Sequence, residues 1–162
     1  MATLIDANQA MFTPFEPKLK NRYVMSIDGI PAYLIKTASR PSITFEEVEL
    51  NHLNVKRFVK GKGTWEPVEF TMYDPVVPSA AQAVMEWVRL GHESVTGRDG
   101  YSDFYKKDVQ IKVLGPVGDV VEQWTLKGAF ITAANFNDLD FASSDPAEVS
   151  VTLRYDYAIL EF

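Results

Sequence analysis

Apolar and polar residues alternate through most of the chain, and a period of two is the mark of half-buried strands. Tyr23–Ile27 (YVMSI) is a short apolar run that ends at Asp28-Gly29, a strong hairpin signal. Ala32–Thr37 (AYLIKT) reads as the returning strand. Arg40-Pro41 ends it, because proline has no N–H for a ladder and restricts the residue before it. Ser42–Leu50 (SITFEEVEL) alternates at Ile43 and Phe45, then changes phase to Val48 and Leu50. A phase change inside a strand predicts a bulge or bend, here near Glu46-Glu47. Thr64–Tyr73 (TWEPVEFTMY) is the next strand, with Pro67 marking an irregularity or an edge. Val109–Leu114, the turn Gly115–Asp119 and Val120–Ile131 follow, and a long polar segment spans Asn135–Pro146. Glu148–Tyr157 (EVSVTLRYDY) alternates over its whole length and is the clearest strand in the sequence.

One segment changes to a helical period. Ala80, Ala83, Val84, Trp87, Val88 and Leu90 share one face, Ser79 with Gln82 three residues on has the capping-box pattern, and Gly91 is a natural stop. The stripe of Val84, Trp87 and Val88 should pack on a sheet. The pattern therefore predicts a mainly β fold of about seven antiparallel strands, a barrel or sandwich, with one flanking α-helix at about residues 79–90. Residues 1–20, interrupted by Pro14 and Pro17 and carrying Met11, Phe12 and Phe15, read as an N-terminal arm, either disordered or ordered by a neighbouring copy on assembly. Residues 21–162 read as a single domain.

Composition narrows the function classes. The 162 residues are 46% apolar and 23% charged, an ordinary globular balance. There is no cysteine, hence no disulfide, thiolate metal site or cysteine nucleophile, and His52 and His92 alone make a zinc centre unlikely chemistry. No apolar run is long enough for a membrane helix, and the first residues lack the pattern of a secretion signal. A net charge of −6 argues against a dedicated duplex-DNA binder. No nucleophile elbow, phosphate loop, zinc-protease or dinucleotide motif is present. Gly61-Lys62-Gly63 lacks the remainder of a phosphate loop. Glu46, Glu47 and Glu49 on one strand point to alternating faces and cannot all share an acid–base site. The sequence thus implies no enzyme, no metal and no cofactor.

Charge is segregated along the chain. Residues 51–63 carry Lys56, Arg57, Lys60 and Lys62 without an acid, and residues 128–153 carry Asp138, Asp140, Asp145 and Glu148 without a base. Either both are solvated surface loops, or the basic loop of one copy meets the acidic loop of the next. The second arrangement is heterologous and builds rings or filaments, with charge setting register and direction.

Four segments taken in order, RYVMSIDG, KTASRPSITFEEVEL, GKGTWEPVEFTMYDP and EVSVTLRYDYAILEF, resemble the tail tube proteins of contractile-tailed bacteriophages. The helix with Trp87 and the Asn135 to Phe141 segment fall in the same order, and the resemblance spans roughly residues 20–160. That family is similar in fold to the haemolysin-coregulated tube proteins of type VI secretion. The resemblance implies a structural virion protein whose hexameric rings stack head-to-tail into an inner tube. Such a tube conducts phage DNA into the host, without binding it specifically, when the sheath contracts. Implied partners are further copies, the tail sheath, the baseplate hub, the tape-measure protein and the tail terminator, with no membrane insertion by this chain. The implied location is the virion tail, and the host cytoplasm during assembly. By position, the resemblance assigns Lys56, Arg57, Phe58, Lys60 and Lys62 to an inter-ring stacking loop. Asp138, Asp140 and Asp145 are a candidate counter-surface, and Glu47 and Glu49 candidate lumen residues, an acidic lining being one along which DNA slides without phosphate contacts. Two alternatives stay open: a tube subunit of a type VI or related contractile injection system, and a monomeric ligand-binding β-barrel.

Overall fold

The computed structural model describes residues 15–162. Most of the expected arm, Met11 and Phe12 included, lies outside the described residues. Nine strands and two helices follow: β1 (Tyr23–Ile27), β2 (Ile35–Ala38), β3 (Ile43–His52), β4 (Val55–Trp65), β5 (Val68–Tyr73), α1 (Ala80–Gly91), α2 (Ser102–Tyr105), β6 (Lys107–Leu114), β7 (Val120–Asn135), β8 (Glu148–Arg154) and β9 (Tyr157–Leu160). All pairings are antiparallel, as expected. A seven-stranded sheet runs in the order β1-β6-β7-β8-β5-β2, with β9 added beside β7, and β3 and β4 form a separate two-stranded sheet.

The large sheet turns on β7. Its first half pairs with β6 on one edge and β9 on the other, and its second half with β8. The bend lies at Gly128, whose φ of +66° is open to glycine and strained for other residues. A Cβ there would also strike the Asp156 carboxylate, whose backbone N–H donates to the Lys127 carbonyl at 2.9 Å. The bend brings the two halves of the sheet onto one core. Met25, Val109, Ile111 and Leu126 come from one half, and Val68, Phe70, Met72, Val149, Val151 and Leu153 from the other.

Of the two expected architectures, the barrel does not close. β1 and β2 are the two ends of the strand order and share no ladder. One side-chain bond spans them: the Tyr23 hydroxyl donates to the Lys36 carbonyl at 2.6 Å. The hairpin expected at Asp28-Gly29 is likewise a turn without a hairpin. Gly29 takes φ +84° and Ile30 N–H donates to the Ile27 carbonyl. Pro31, which has no N–H, then leads into a 3-10 turn at Ala32–Leu34 that buries Leu34, so β1 and β2 leave for different partners.

The helix is as the periodicity predicts. Ala80, Val84 and Trp87 are buried, and Ser79 Oγ accepts from the Gln82 N–H at 3.4 Å. Asp74, not foreseen as a cap, accepts from the N–H groups of Ala80 (3.1 Å) and Ala81 (3.3 Å) and so satisfies two more free donors. Trp87 Nε1 donates to the Tyr105 carbonyl at 2.6 Å, and Lys107 Nζ sits 5.1 Å from its ring centroid.

Two strand boundaries need correction. The closing run breaks at Tyr155-Asp156 into β8 and β9, and Pro67 separates β4 from β5 instead of interrupting one strand. Residues 51–63, expected as a loop, are largely strand β4.

The core and the small sheet should respond very differently to truncation. Phe70→Ala removes a ring that is 1% exposed and should cost about 4 kcal/mol. Leu50→Ala on β3, at 49% exposure, should cost under about 1 kcal/mol. Chemical denaturation midpoints of the monomer check both.

Candidate assembly surfaces

The β3–β4 ribbon turns at Leu53-Asn54, with His52 opposite Val55 and Leu53 at φ +52°. Its register slips between Phe45/Gly63 and Glu47/Lys60, so β4 carries one extra residue at Gly61-Lys62 while β3 stays regular. The bulge expected near Glu46-Glu47 is therefore present, but its extra residue is on the partner strand. Because β3 alternates without interruption, its apolar residues do change faces.

One face of the ribbon carries Ile43, Phe45, Glu47 and Glu49 across from Trp65, Gly63, Lys60 and Phe58. Lys60 Nζ lies 4.7 Å from the Phe45 ring centroid, and Lys56 pairs with Glu49 at 3.2 Å. The other face carries Val48, Leu50 and His52 across from Val59, Arg57 and Val55. All of these apolar residues are exposed except Trp65, which sits at the base 6.2 Å from the Tyr155 ring. The structure thus splits the predicted basic set. Lys56, Phe58 and Lys60 share a face with Glu47 and Glu49, Arg57 stands among valines and leucine on the opposite face, and Lys62 sits at the bulge.

The acidic set lies elsewhere. Asp138, Asp140 and Asp145 line a groove of about 680 Å³ in the segment between β7 and β8, beside Lys36, Tyr73 and Glu148. Lys36 pairs with Glu148 at 2.5 Å and lies over the Tyr73 ring, and the hydrogen bond and charge of Glu148 raise its pKa above the usual lysine value. Asp140 also accepts from the Ala142 N–H at 2.9 Å, and Asn135 from the Asn137 N–H at 2.9 Å, so this segment is built of side-chain-capped turns.

A third feature went unread in the sequence. Glu122 on β7 is 6% exposed and is gripped by Lys18, by Arg40 at 3.4 Å and by Trp124 Nε1 at 2.5 Å. Burial is the largest single influence on its carboxyl and pushes the pKa up. Hydrogen bonds from Lys18 and Trp124, with the charges of Lys18 and Arg40, together outweigh it and hold the group below the usual carboxylate range. The clasp fixes the segment before β1 and the residues leading into β3 to the centre of the sheet.

Among the described residues, no group of three or more histidine, aspartate or glutamate side chains is placed to hold a metal ion. His92, at the end of α1, meets Asp99 at 2.7 Å.

No family model matches the chain, and no curated protein does. Its fold does match solved structures. A chain of the anti-feeding prophage cap, the AFP tube terminating cap, superposes with a TM-score of 0.74 at 19% identity, covering 96% of this chain and 99% of that one. A chain of the sheath/tube terminator of an extracellular contractile injection system, PVC, gives 0.75 at 18% identity, over 93% and 100%. A chain of the PVC sheath-tube complex gives 0.69 at 18% identity, over 98% and 99%. The likeness is one of fold, and it is the tube fold that the sequence resemblance implies.

The Glu122 clasp makes a pH-dependent prediction. A carboxylate with a depressed folded pKa contributes stability above its unfolded pKa, and that contribution is lost as pH falls through the folded value. Glu122→Gln should therefore cost about 2 kcal/mol near pH 7. The gap to the parent chain should close in acid, below the ordinary carboxylate range. Thermal melts of both proteins across pH check this.

Proposed function

We propose that this chain is a structural tube subunit of a contractile injection particle, forming rings that stack head-to-tail. The observation that carries the reading is the β3–β4 ribbon on a tube-like fold. A two-stranded ribbon is marginal in water by itself, and this one exposes apolar residues on both faces. Seating Val48, Leu50, Val55 and Val59 on a neighbouring copy would contribute about 25 cal/mol for each Å² of apolar surface covered.

In this reading the apolar face with Arg57 makes the ring-to-ring contact. The opposite face joins Glu49 to Lys56 and sets Glu47 across from Lys60, which leaves it nearly neutral, with Phe58 between. That face is suited to border the lumen, because unpaired lysines would hold a passing polyanion. Lys62, at the bulge, flanks the contact. The partners are further copies, the surrounding sheath, the baseplate and a terminator.

The solved neighbours are parts of extracellular injection particles and of the anti-feeding prophage. They favour the related injection system over a genome-conducting phage tail. Nucleic acid inside purified particles would reverse that preference. The monomeric ligand-binding barrel has less support, since the sheet does not close and the apolar surface lies outside the fold.

Negative-stain electron microscopy across concentration and salt tests the assembly. The parent chain should form rings or hollow tubes. Leu50→Asp with Val59→Asp should stay monomeric, with unchanged circular dichroism. Unimpaired tubes from the double variant, or a parent chain that stays monomeric even on a purified baseplate, would count against the reading.

A further inference from the structure

The unclosed seam between β1 and β2 is not empty surface. A groove of about 360 Å³ opens there. Buried Ile111 and Val113 contribute to its floor, and Lys18, Lys20, Arg22 and Arg40 stand around it. Glu122 serves both Lys18 and Arg40, and Glu16 reaches Arg22 at 3.5 Å. Among the described residues, four cations thus face two carboxylates, and the groove keeps a positive excess over an apolar floor.

The segment between β7 and β8 has the complementary make-up. Asp138-Leu139-Asp140-Phe141 alternates acid with large apolar side chains, and Leu139 and Phe141 are 88% and 113% exposed, the latter more than in an extended reference. Within its own copy this segment lies beside Lys36, whereas the seam groove adjoins Arg40. Along extended chain those positions are about 13 Å apart.

We infer that the Asp138–Phe141 segment of one copy docks in the β1/β2 seam groove of a second copy of this chain. Leu139 and Phe141 cover the Ile111/Val113 floor, while Asp138 and Asp140 meet the excess charge of Lys20 and its neighbours. The ribbon is the poorer receptor for these acids, since Lys56 is bonded to Glu49 and Lys60 lies over the Phe45 ring, across from Glu47 on the same face. Segment and groove are different patches, and a contact made once between each pair of copies is heterologous and propagates from copy to copy. The inference extends the tube reading but does not depend on which particle the tube serves.

The chain has no cysteine, so an introduced pair reports the contact cleanly. Ala38→Cys, lining the groove, is combined with Leu139→Cys and oxidised at assembling concentrations. A ladder of dimers, trimers and higher species on non-reducing gels is expected, whereas each single variant stops at the dimer. Lys20→Glu in that background should lower ladder yield about fivefold, and Asp138→Lys should restore it. Circular dichroism confirms that each variant is folded, and microscopy of the same samples separates the two proposals. Tubes without a ladder overturn this contact and leave the tube reading standing. A ladder without tubes, even on a purified baseplate, supports the contact and removes the tube reading. Folded protein showing neither overturns both. A ladder that forms only after residues 1–14 are deleted would assign the groove to the chain's own N-terminus and overturn the inference.

Discussion

A ribbon of two strands has two faces and no interior, so its apolar side chains can be covered only by something else. In this chain that constraint governs the rest. The large sheet bends at Gly128 and buries Phe70, Met72, Leu126 and Leu153 between its halves. β3 and β4 touch that core through Trp65 at the base of the ribbon, and beyond it they carry Val48, Leu50, Val55, Phe58 and Val59 on exposed faces. As a lone two-stranded ribbon is marginal in water and its turn holds Leu53 at a positive φ, local structure contributes little to hold it. The sequence spends apolar residues where the monomer cannot use them, which is the signature of a surface completed by assembly.

The same logic extends to the seam. A sheet that stops at two unpaired edges is open to uncontrolled pairing. Here the edges are held near one another by Tyr23 and Lys36, and the cations around the gap discourage an arbitrary strand from adding. The Glu122 clasp ties these features into one frame. It anchors the segment before β1 through Lys18 and the entry to the ribbon through Arg40, so groove and ribbon are both oriented from one buried carboxylate.

How much of this could be read in advance follows from where each signal lies. The helix was legible because Ala80, Val84 and Trp87 recur at its period and Ser79 caps it locally. The bulge expected from the change of phase between Phe45 and Val48 is found at that level of the ribbon but on β4, so the phase change itself reports apolar residues that change faces on a regular β3. β4 was misread as a loop because its turn is Leu53-Asn54, without the glycine that usually marks a two-residue hairpin. Asp28-Gly29 misled in the opposite sense: the turn forms, and Pro31 then diverts the chain. Glu122 was invisible because Lys18 and Arg40 are 104 and 82 residues away. No periodicity reports a contact at that separation.

Charge, finally, does different work at the two surfaces. On the ribbon, acid and base are balanced within one face, so electrostatics there adds little net attraction, and in the proposed stacking the apolar face would supply the contact energy. At the seam and the β7–β8 segment the signs are separated between patches. Like patches repel and unlike patches attract, which favours contacts between seam and segment and, in the proposed tube, would orient head-to-tail addition. Apolar ribbon and charged seam thus have complementary roles. The first would give a growing assembly its cohesion and the second its direction, and one polarity for every copy is what a stacked tube requires.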